Sequence, residues 1–343
     1  MQFDPLSVDG PYLRDILAQP RALDDTVEGL CAAGWLGDLA GFDRIVLTGM
    51  GGSYHALHPL HIRLIAHGFH AAAYETSELI HDYTGALAPR TLLIAVSQSG
   101  RSVETVRLLD LAAGRMPIIG VTNTPESPLA ARASHVVLTH AGPEYSVSTK
   151  TYVATLLALE WLGGALCGAD RGETESTLRE AGPAAQSYLA GWEAHVRALA
   201  DLLAGARALF VTGRGASLAA AGTGGLILKE SAHFHAEGMS CPAFRHGPFE
   251  MSGPDAVLLV FAGDPKTTAL NQRLVEDVRQ AGGRAFLVGP QSDQAGFRIP
   301  HVAPAIRPIL EMLPVQLVSL ALASLAGHKP GEFKLLTKVT VIE

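Results

Sequence analysis

The chain has 343 residues, 48% hydrophobic and 17% charged, enough to bury one large core or two moderate ones. Its net charge of −7, with no long Lys/Arg run, leaves no basic face for a phosphate backbone and argues against a nucleic-acid partner. Cys31, Cys167 and Cys241 lie far apart, form neither a metal-ligand pattern nor a disulfide framework, and fit a reducing, cytoplasmic setting.

The first residues, "MQFDPLSVDG", have no basic n-region and no apolar h-region, so no signal peptide is expected. No stretch reaches about 18 uninterrupted apolar residues, so no membrane span is expected. Residues 10–35 read as helix, with a proline midway. Next comes "RIVLTGMGGS" (44–53), a short β-branched run ending in glycines, and much later "ALFVTGRGAS" (208–217) repeats its pattern. The comparison extends further. "TLLIAVSQSG" (91–100) corresponds to "AVLLVFAGDP" (256–265), "PIIGVTN" (117–123) to "RAFLVGP" (284–290), and "SHVVLTH" (134–140) roughly to "FRIPHVA" (297–303). Each half closes with an apolar helix, "TYVATLLALEWL" and "PVQLVSLALASLA".

Short apolar strands alternating with helices predict an α/β fold: two tandem, doubly wound parallel-sheet units with a C-terminal tail. The expected division is an N-terminal helical segment (1–35), a first unit (36–170), a second unit (190–328) and a tail (329–343). A polar linker is expected around "CGADRGETEST" (167–177).

The repeat is asymmetric at one place. The second strand of the first half ends in "SQSGRS", and the equivalent strand of the second half ends in "AGDPKT". A hydroxyl cluster that served only the fold would be kept in both halves. One small-ligand site per chain, in the first half, is therefore expected. In open parallel sheets ligands sit outside the carboxyl ends of strands. There the free N–H groups of a helix start, with Ser97, Gln98, Ser99, Ser102 and Ser53 of the neighbouring loop, suit a phosphate monoester. The competing reading is that these serines are helix caps.

Other motifs carry less. "GMGGSY" has Gly49 and Gly51 of a dinucleotide fingerprint, but Tyr54 stands where the third glycine belongs, with Glu75 at a tolerable distance for a ribose contact. "LILKESAHFHAEGMSCPAFRHGPFE" (226–250) gathers Glu230, His233, His235, Glu237 and His246. His233 and Glu237 stand at i, i+4, but the metalloprotease order His-Glu-x-x-His is absent, so no metal is expected. A histidine and a carboxylate in a largely apolar segment suit proton transfer; solvated charges and a structural histidine are the alternative. Lys338, in the apolar "LLTKVTVIE", is either a solvated terminal lysine or one desolvated enough to form a Schiff base.

Taken together, "AQPRAL", "GGSYHA", "SQSGRSVET", "HAGPEYSVSTK", "LKESAHFHAEG", "RHGP" and "LTKVTVIE" occur in an order that resembles the sugar isomerase (SIS) family. The likeness is strongest to the isomerase half of glucosamine-6-phosphate synthases and to their stand-alone, deaminase-type relatives, and it covers nearly the whole chain. It implies that Ser53, Ser97, Gln98, Ser99 and Ser102 bind the substrate phosphate. It implies that Ser146 and Ser148 lie where the sugar is contacted. Glu230 matches the carboxylate that moves a proton between C1 and C2. His246 matches the ring-opening histidine, donated in the family by a neighbouring subunit, and Lys338 matches the tail lysine that forms a Schiff base. A homodimer with shared sites follows from that resemblance.

The departures from the synthase pattern also bear on function. Met1 is followed by Gln2 rather than Cys, so a glutamine-hydrolysing domain is expected to be missing. Ile227 stands where the synthase has a second active-site lysine. Arg101 and Ser102 replace an acidic residue and a threonine, as in the deaminase-type relatives. Phe333 and Lys334 replace a Pro-Arg pair near the tail. The expectation is a cytoplasmic phosphosugar isomerase without metal or nicotinamide, deaminating glucosamine 6-phosphate to fructose 6-phosphate and ammonia. A fructosamine-6-phosphate deglycase and a non-catalytic phosphosugar sensor are the alternatives.

Overall fold

A computed structural model of the protein describes residues 5–36, 41–335, 337 and 338. The start at Met1 and Gln2 and the end of the tail, "VTVIE", lie outside these residues. The chain forms two compact units. One contains the described residues of Arg21–Glu144, Lys150–Glu180 and Leu335–Glu343; the other those of Met1–Pro20, Tyr145–Thr149 and Ala181–Lys334. The N-terminal helical segment is thus shared between the units, at Pro20, instead of standing apart. It is also two helices, α1 (Pro11–Leu17) and α2 (Gln19–Ala33), where one is expected over 10–35. Pro20 explains the break: without an N–H it fits the first turn of a helix and not the interior.

The first sheet unit runs β1 (Arg44–Gly49), α3 (Gly52–Ala66), β2 (Ala71–Glu75), α4 (Thr76–His81), β3 (Thr91–Val96), α5 (Val103–Ala112), β4 (Ile118–Thr122), α6 (Pro128–Arg132), β5 (His135–Leu138), α7 (Lys150–Leu166) and α8 (Arg171–Leu178). Its five strands are parallel in the order β2-β1-β3-β4-β5. β3 is central and buried along its whole length, which is why "TLLIAV" reads as an unbroken apolar run. One face packs Val46, Leu93 and Ile118 against Leu108 and Leu109 of α5. Each such buried side chain stabilises the unit by about 1.5–3 kcal/mol relative to exposure. α8 occupies most of the expected linker 167–177. Asp170 caps it by accepting from the Glu173 N–H at 2.8 Å, so a polar surface helix stands where composition suggests a linker.

The second sheet unit runs α9 (Ala181–Leu189), α10 (Trp192–Leu203), β6 (Ala208–Gly213), α11 (Leu218–Ala232), β7 (Ala236–Ser240), α12 (Cys241–Arg245), β8 (Ala256–Phe261), α13 (Pro265–Gln280), β9 (Arg284–Val288) and α14 (Arg307–Ala326). Its strands are parallel in the order β7-β6-β8-β9. The internal repeat is therefore real for β1/β6, β3/β8 and β4/β9, and extends to β2/β7. It fails at the last strand. "FRIPHVA" forms no strand where the repeat predicts a partner for β5; residues 298–306 are irregular between β9 and α14. Pro300 and Pro304 lack the N–H groups a ladder needs.

α11 lies unusually close to β7. A Cβ on Gly225 would stand 2.2 Å from the Gly238 nitrogen, and one on Gly238 would stand 2.1 Å from the Ala221 carbonyl oxygen. α14 packs on α10 and α11 and is apolar on every side because it is enclosed. By length and composition it could cross a membrane, yet it is mostly buried within the unit. Two of its buried polar groups are matched there: Gln316 pairs with Gln19 at 2.7 Å and Ser319 with Tyr12 at 2.9 Å.

Candidate functional site

In the first sheet unit β1 and β3 are neighbours in register, with Gly49 opposite Val96. The chain leaving each strand therefore emerges side by side at the carboxyl edge. The first exit turns into α3, with Ser53 in its opening turn. The second is Ser97–Ser102, running into α5. Gly100 adopts φ +61°, and a Cβ there would stand 2.3 Å from Ser127 Oγ. Only glycine takes this turn without strain.

The serines have internal duties as well as a free edge. Ser97 Oγ accepts from the Gly100 N–H at 3.2 Å, and Ser99 Oγ accepts from the Arg101 N–H at 3.2 Å. A hydroxyl that accepts still has its own proton to donate. Ser102 is the N-cap of α5, accepting from the Thr105 N–H at 3.4 Å and sharing a 2.8 Å hydrogen bond with Thr105 Oγ1. The capping alternative thus holds for Ser102. The Gln98 carbonyl accepts from the Asn123 N–H at 3.0 Å and from Thr122 Oγ1 at 3.1 Å, tying the loop to the end of β4. Arg101 is drawn aside to the Glu126 carbonyl at 2.8 Å. Burial, and then the Glu75 charge, push the neighbouring Tyr54 phenol above its ordinary pKa, so it stays a neutral donor. Two helix starts with hydroxyls and amides, and little positive side-chain charge, make a cradle suited to a small anion.

The same unit holds a buried carboxylate that its local sequence does not single out. Glu144 accepts from the Thr151 N–H at 3.1 Å, from Thr151 Oγ1 at 2.6 Å and from Lys338 Nζ at 2.9 Å. Its side chain is wholly buried and that of Lys338 is 26% exposed. Lys338 is thus neither freely solvated nor desolvated alone: its Nζ donates to a buried carboxylate. The signal for Glu144 was present in "HAGPEYSVSTK", but one acid between proline and tyrosine reads as surface until its partners are placed.

The second sheet unit carries the other expected site residues. Glu230 is half-buried in the last turn of α11, and the exposed His246 follows α12 as its C-cap. The backbone after Glu230 is clamped to the chain beyond α14: the Ser231 carbonyl accepts from the Gly331 N–H at 2.9 Å, and the Ala232 carbonyl meets His328 Nε2 at 2.8 Å. Ser146 donates to the Gly331 carbonyl at 2.7 Å, and Ser148 is half-buried nearby in sequence. His233 and Glu237 do not share a helical face. α11 stops at Ala232, His233 takes a left-handed conformation with φ +47°, and Glu237 lies on β7. Burial, with Lys334 and His328 adding to it, lowers the His233 pKa, so its ring favours the neutral form.

The SIS domain family matches this chain twice, over residues 38–163 and 202–323. The chain belongs to the SIS family. The glutamine–fructose-6-phosphate aminotransferase (isomerizing) of Pyrococcus horikoshii is 33% identical over 96% of the chain and 57% of its own length. That of Thermococcus kodakarensis is 31% identical over 96% and 58%. This SIS chain thus spans somewhat more than half the length of these relatives. In fold it is similar to a glucosamine-6-phosphate deaminase from Thermotoga maritima, with TM-score 0.82 and 18% identity over 97% of this chain and 100% of the other. It is also similar to the tagatose-6-phosphate ketose/aldose isomerase of Escherichia coli, with TM-score 0.80 and 19% identity over 98% and 99%.

Proposed function

We propose that this SIS protein is a phosphosugar aldose–ketose isomerase acting on an amino-hexose phosphate, and that it converts glucosamine 6-phosphate and water to fructose 6-phosphate and ammonia. The observation that carries the reading is the anion cradle at the carboxyl ends of β1 and β3, in the same unit as the Glu144–Lys338 pair. Ser53, Ser97, Gln98, Ser99 and the start of α5 take the phosphate. His246 assists ring opening, and its exposure is compatible with its serving a neighbouring copy of the chain. Ser146 and Ser148 position the sugar.

Glu230 takes the C2 proton of the open aminoaldehyde and returns it to C1. The product is the C2 imine of fructose 6-phosphate. Water adds to that imine and ammonia leaves, with no net oxidation. Lys338 supplies positive charge near the sugar oxygens. It becomes an imine-forming nucleophile once it yields its proton, for which Glu144, 2.9 Å away, is the acceptor at hand. Ile227 supports deamination over glutamine-dependent synthesis. It is fully buried on α11 and offers no amine where the resemblance places a second lysine.

The test is a substrate screen. Purified protein incubated with glucosamine 6-phosphate is expected to release ammonia and fructose 6-phosphate. Release only from fructosamine 6-phosphates would replace this reading with a deglycase. Binding of phosphosugars without turnover of any would replace it with a sensor.

A further inference from the structure

In the second sheet unit "AGDPKT" stands after β8 where the first unit has "SQSGRS" after β3, without the serine cluster. The carboxyl edge of that sheet is nevertheless not closed. A cavity of about 310 Å³ lies there, at the lower end of the range for small-molecule sites. Gly263 after β8, Gly289 after β9, and Pro300 and His301 of the irregular segment line it, together with Arg307 and Glu311 of α14. The segment that fails to form a strand is thus what shapes the cavity.

Glu311 is the feature that calls for a ligand. It is 1% exposed and lies in the cavity wall. Its Oε1 accepts from Ser217 Oγ at 2.9 Å, while its Oε2 is buried with no hydrogen-bond partner among the described residues. A buried polar atom left unmatched costs about 1–3 kcal/mol. Desolvation raises the Glu311 pKa to about 7, against the pull of Ser217 and Arg307, so near neutrality both protonation states are populated. A hydroxyl is suited to both states, because it donates to a carboxylate and accepts from a carboxylic acid. An ammonium pairs only with the ionised form and would meet Arg307 besides.

The charge at the mouth has the other sign. Arg307, one turn before Glu311, and the exposed His301 both line the cavity. The start of α13 is already served by an acid, since Asp264 accepts from the Lys266 N–H at 3.0 Å. An anion in this cavity therefore belongs at Arg307 and not at a helix start, unlike the cradle of the first unit. We infer that the second sheet unit binds an anionic polyol, a sugar phosphate or sugar acid, with a hydroxyl on Glu311 Oε2 and the anionic group at Arg307. This site is separate from the one proposed for the reaction.

The test is calorimetric titration of the full chain with fructose 6-phosphate, 6-phosphogluconate and gluconate, the last distinguishing a carboxylate from a phosphate. It is repeated on a Ser97→Ala, Ser99→Ala double variant that disables the first cradle. At least one probe is expected to bind the double variant at one site per chain. Adding Arg307→Ala or Glu311→Met is expected to weaken that binding about tenfold or more, with circular dichroism melting confirming that each variant folds. Absence of binding by all three probes in the double variant overturns the proposal, as does binding that neither further substitution weakens. Neither result depends on whether glucosamine 6-phosphate is turned over.

Discussion

Lys338 Nζ lies 2.9 Å from Glu144 Oε2, joining residues 194 positions apart inside one unit. The pair fixes the last described stretch of the chain onto the loop that precedes α7. Glu144 carries two bonds from Thr151 as well, so it is anchored before the lysine arrives. In the proposed chemistry Glu144 positions Lys338 and receives its proton.

Glu144→Gln is expected to lower kcat for glucosamine 6-phosphate by about tenfold or more, with a smaller change in KM, because the lysine loses its acceptor. Borohydride trapping with fructose 6-phosphate is expected to label Lys338 in the wild type and much less in this variant. Unchanged labelling at Lys338 would remove Glu144 from the scheme. Labelling of another lysine would remove Lys338.

Ser99 and Gly100 separate binding from folding. Ser99→Ala deletes an exposed-edge hydroxyl whose internal bond is one weak contact to the Arg101 N–H. It is expected to weaken fructose 6-phosphate binding several-fold at nearly unchanged Tm. Gly100→Ala adds a methyl at φ +61° and 2.3 Å from Ser127 Oγ. It is expected to lose about 1–3 kcal/mol of stability as well as affinity. Equal melting temperatures for the two variants would contradict the strained-turn assignment.

Glu311 makes stability depend on pH. Its folded pKa of about 7 lies above the ordinary value of 4.5. The folded chain therefore holds this proton more tightly than the unfolded chain does. The associated stability is present below about pH 4.5 and is lost as pH rises through 7, on the order of 3 kcal/mol across that window. Glu160, also raised to about 7 by burial despite its ion pair with Arg63, contributes with the same sign. Glu311→Gln is expected to flatten the fall in denaturation midpoint between pH 5 and pH 8. An unaltered slope would show that Glu311 is not a source of it.

Gly225→Ala is expected to disrupt the seating of α11 on β7, since the new methyl would meet the Gly238 backbone at 2.2 Å. A loss of about 3 kcal/mol or more in urea unfolding is expected, because backbone cannot rotate away as a side chain can. A loss below about 1 kcal/mol would mean that the helix shifts freely.

Several elements were legible in the residues for a stated physical reason. β3 and β8 are buried on both faces, so their sequences are apolar without alternation. β2 and β7 are not legible in the sequence. They are short edge strands built from alanines and from "AEGMS", which have low strand preference and acquire their conformation from β1 and β6 beside them. α8 has the polar composition of a linker, which hides a cap, Asp170 with Glu173, that is itself a helix signal.

The sequence by itself determined the two-unit α/β plan, the strand-end position of the serine loop and the membership of a family. Local apolar runs, turn glycines and ordered motifs are properties of neighbouring residues. Only the tertiary structure decided that Lys338 rests on Glu144, that Ser146 is tied to Gly331, and that the missing strand of the second sheet leaves a cavity walled by Glu311. Those are meetings of residues far apart in the chain. Burial and an unmatched oxygen are consequences of what surrounds a side chain, which no stretch of sequence contains.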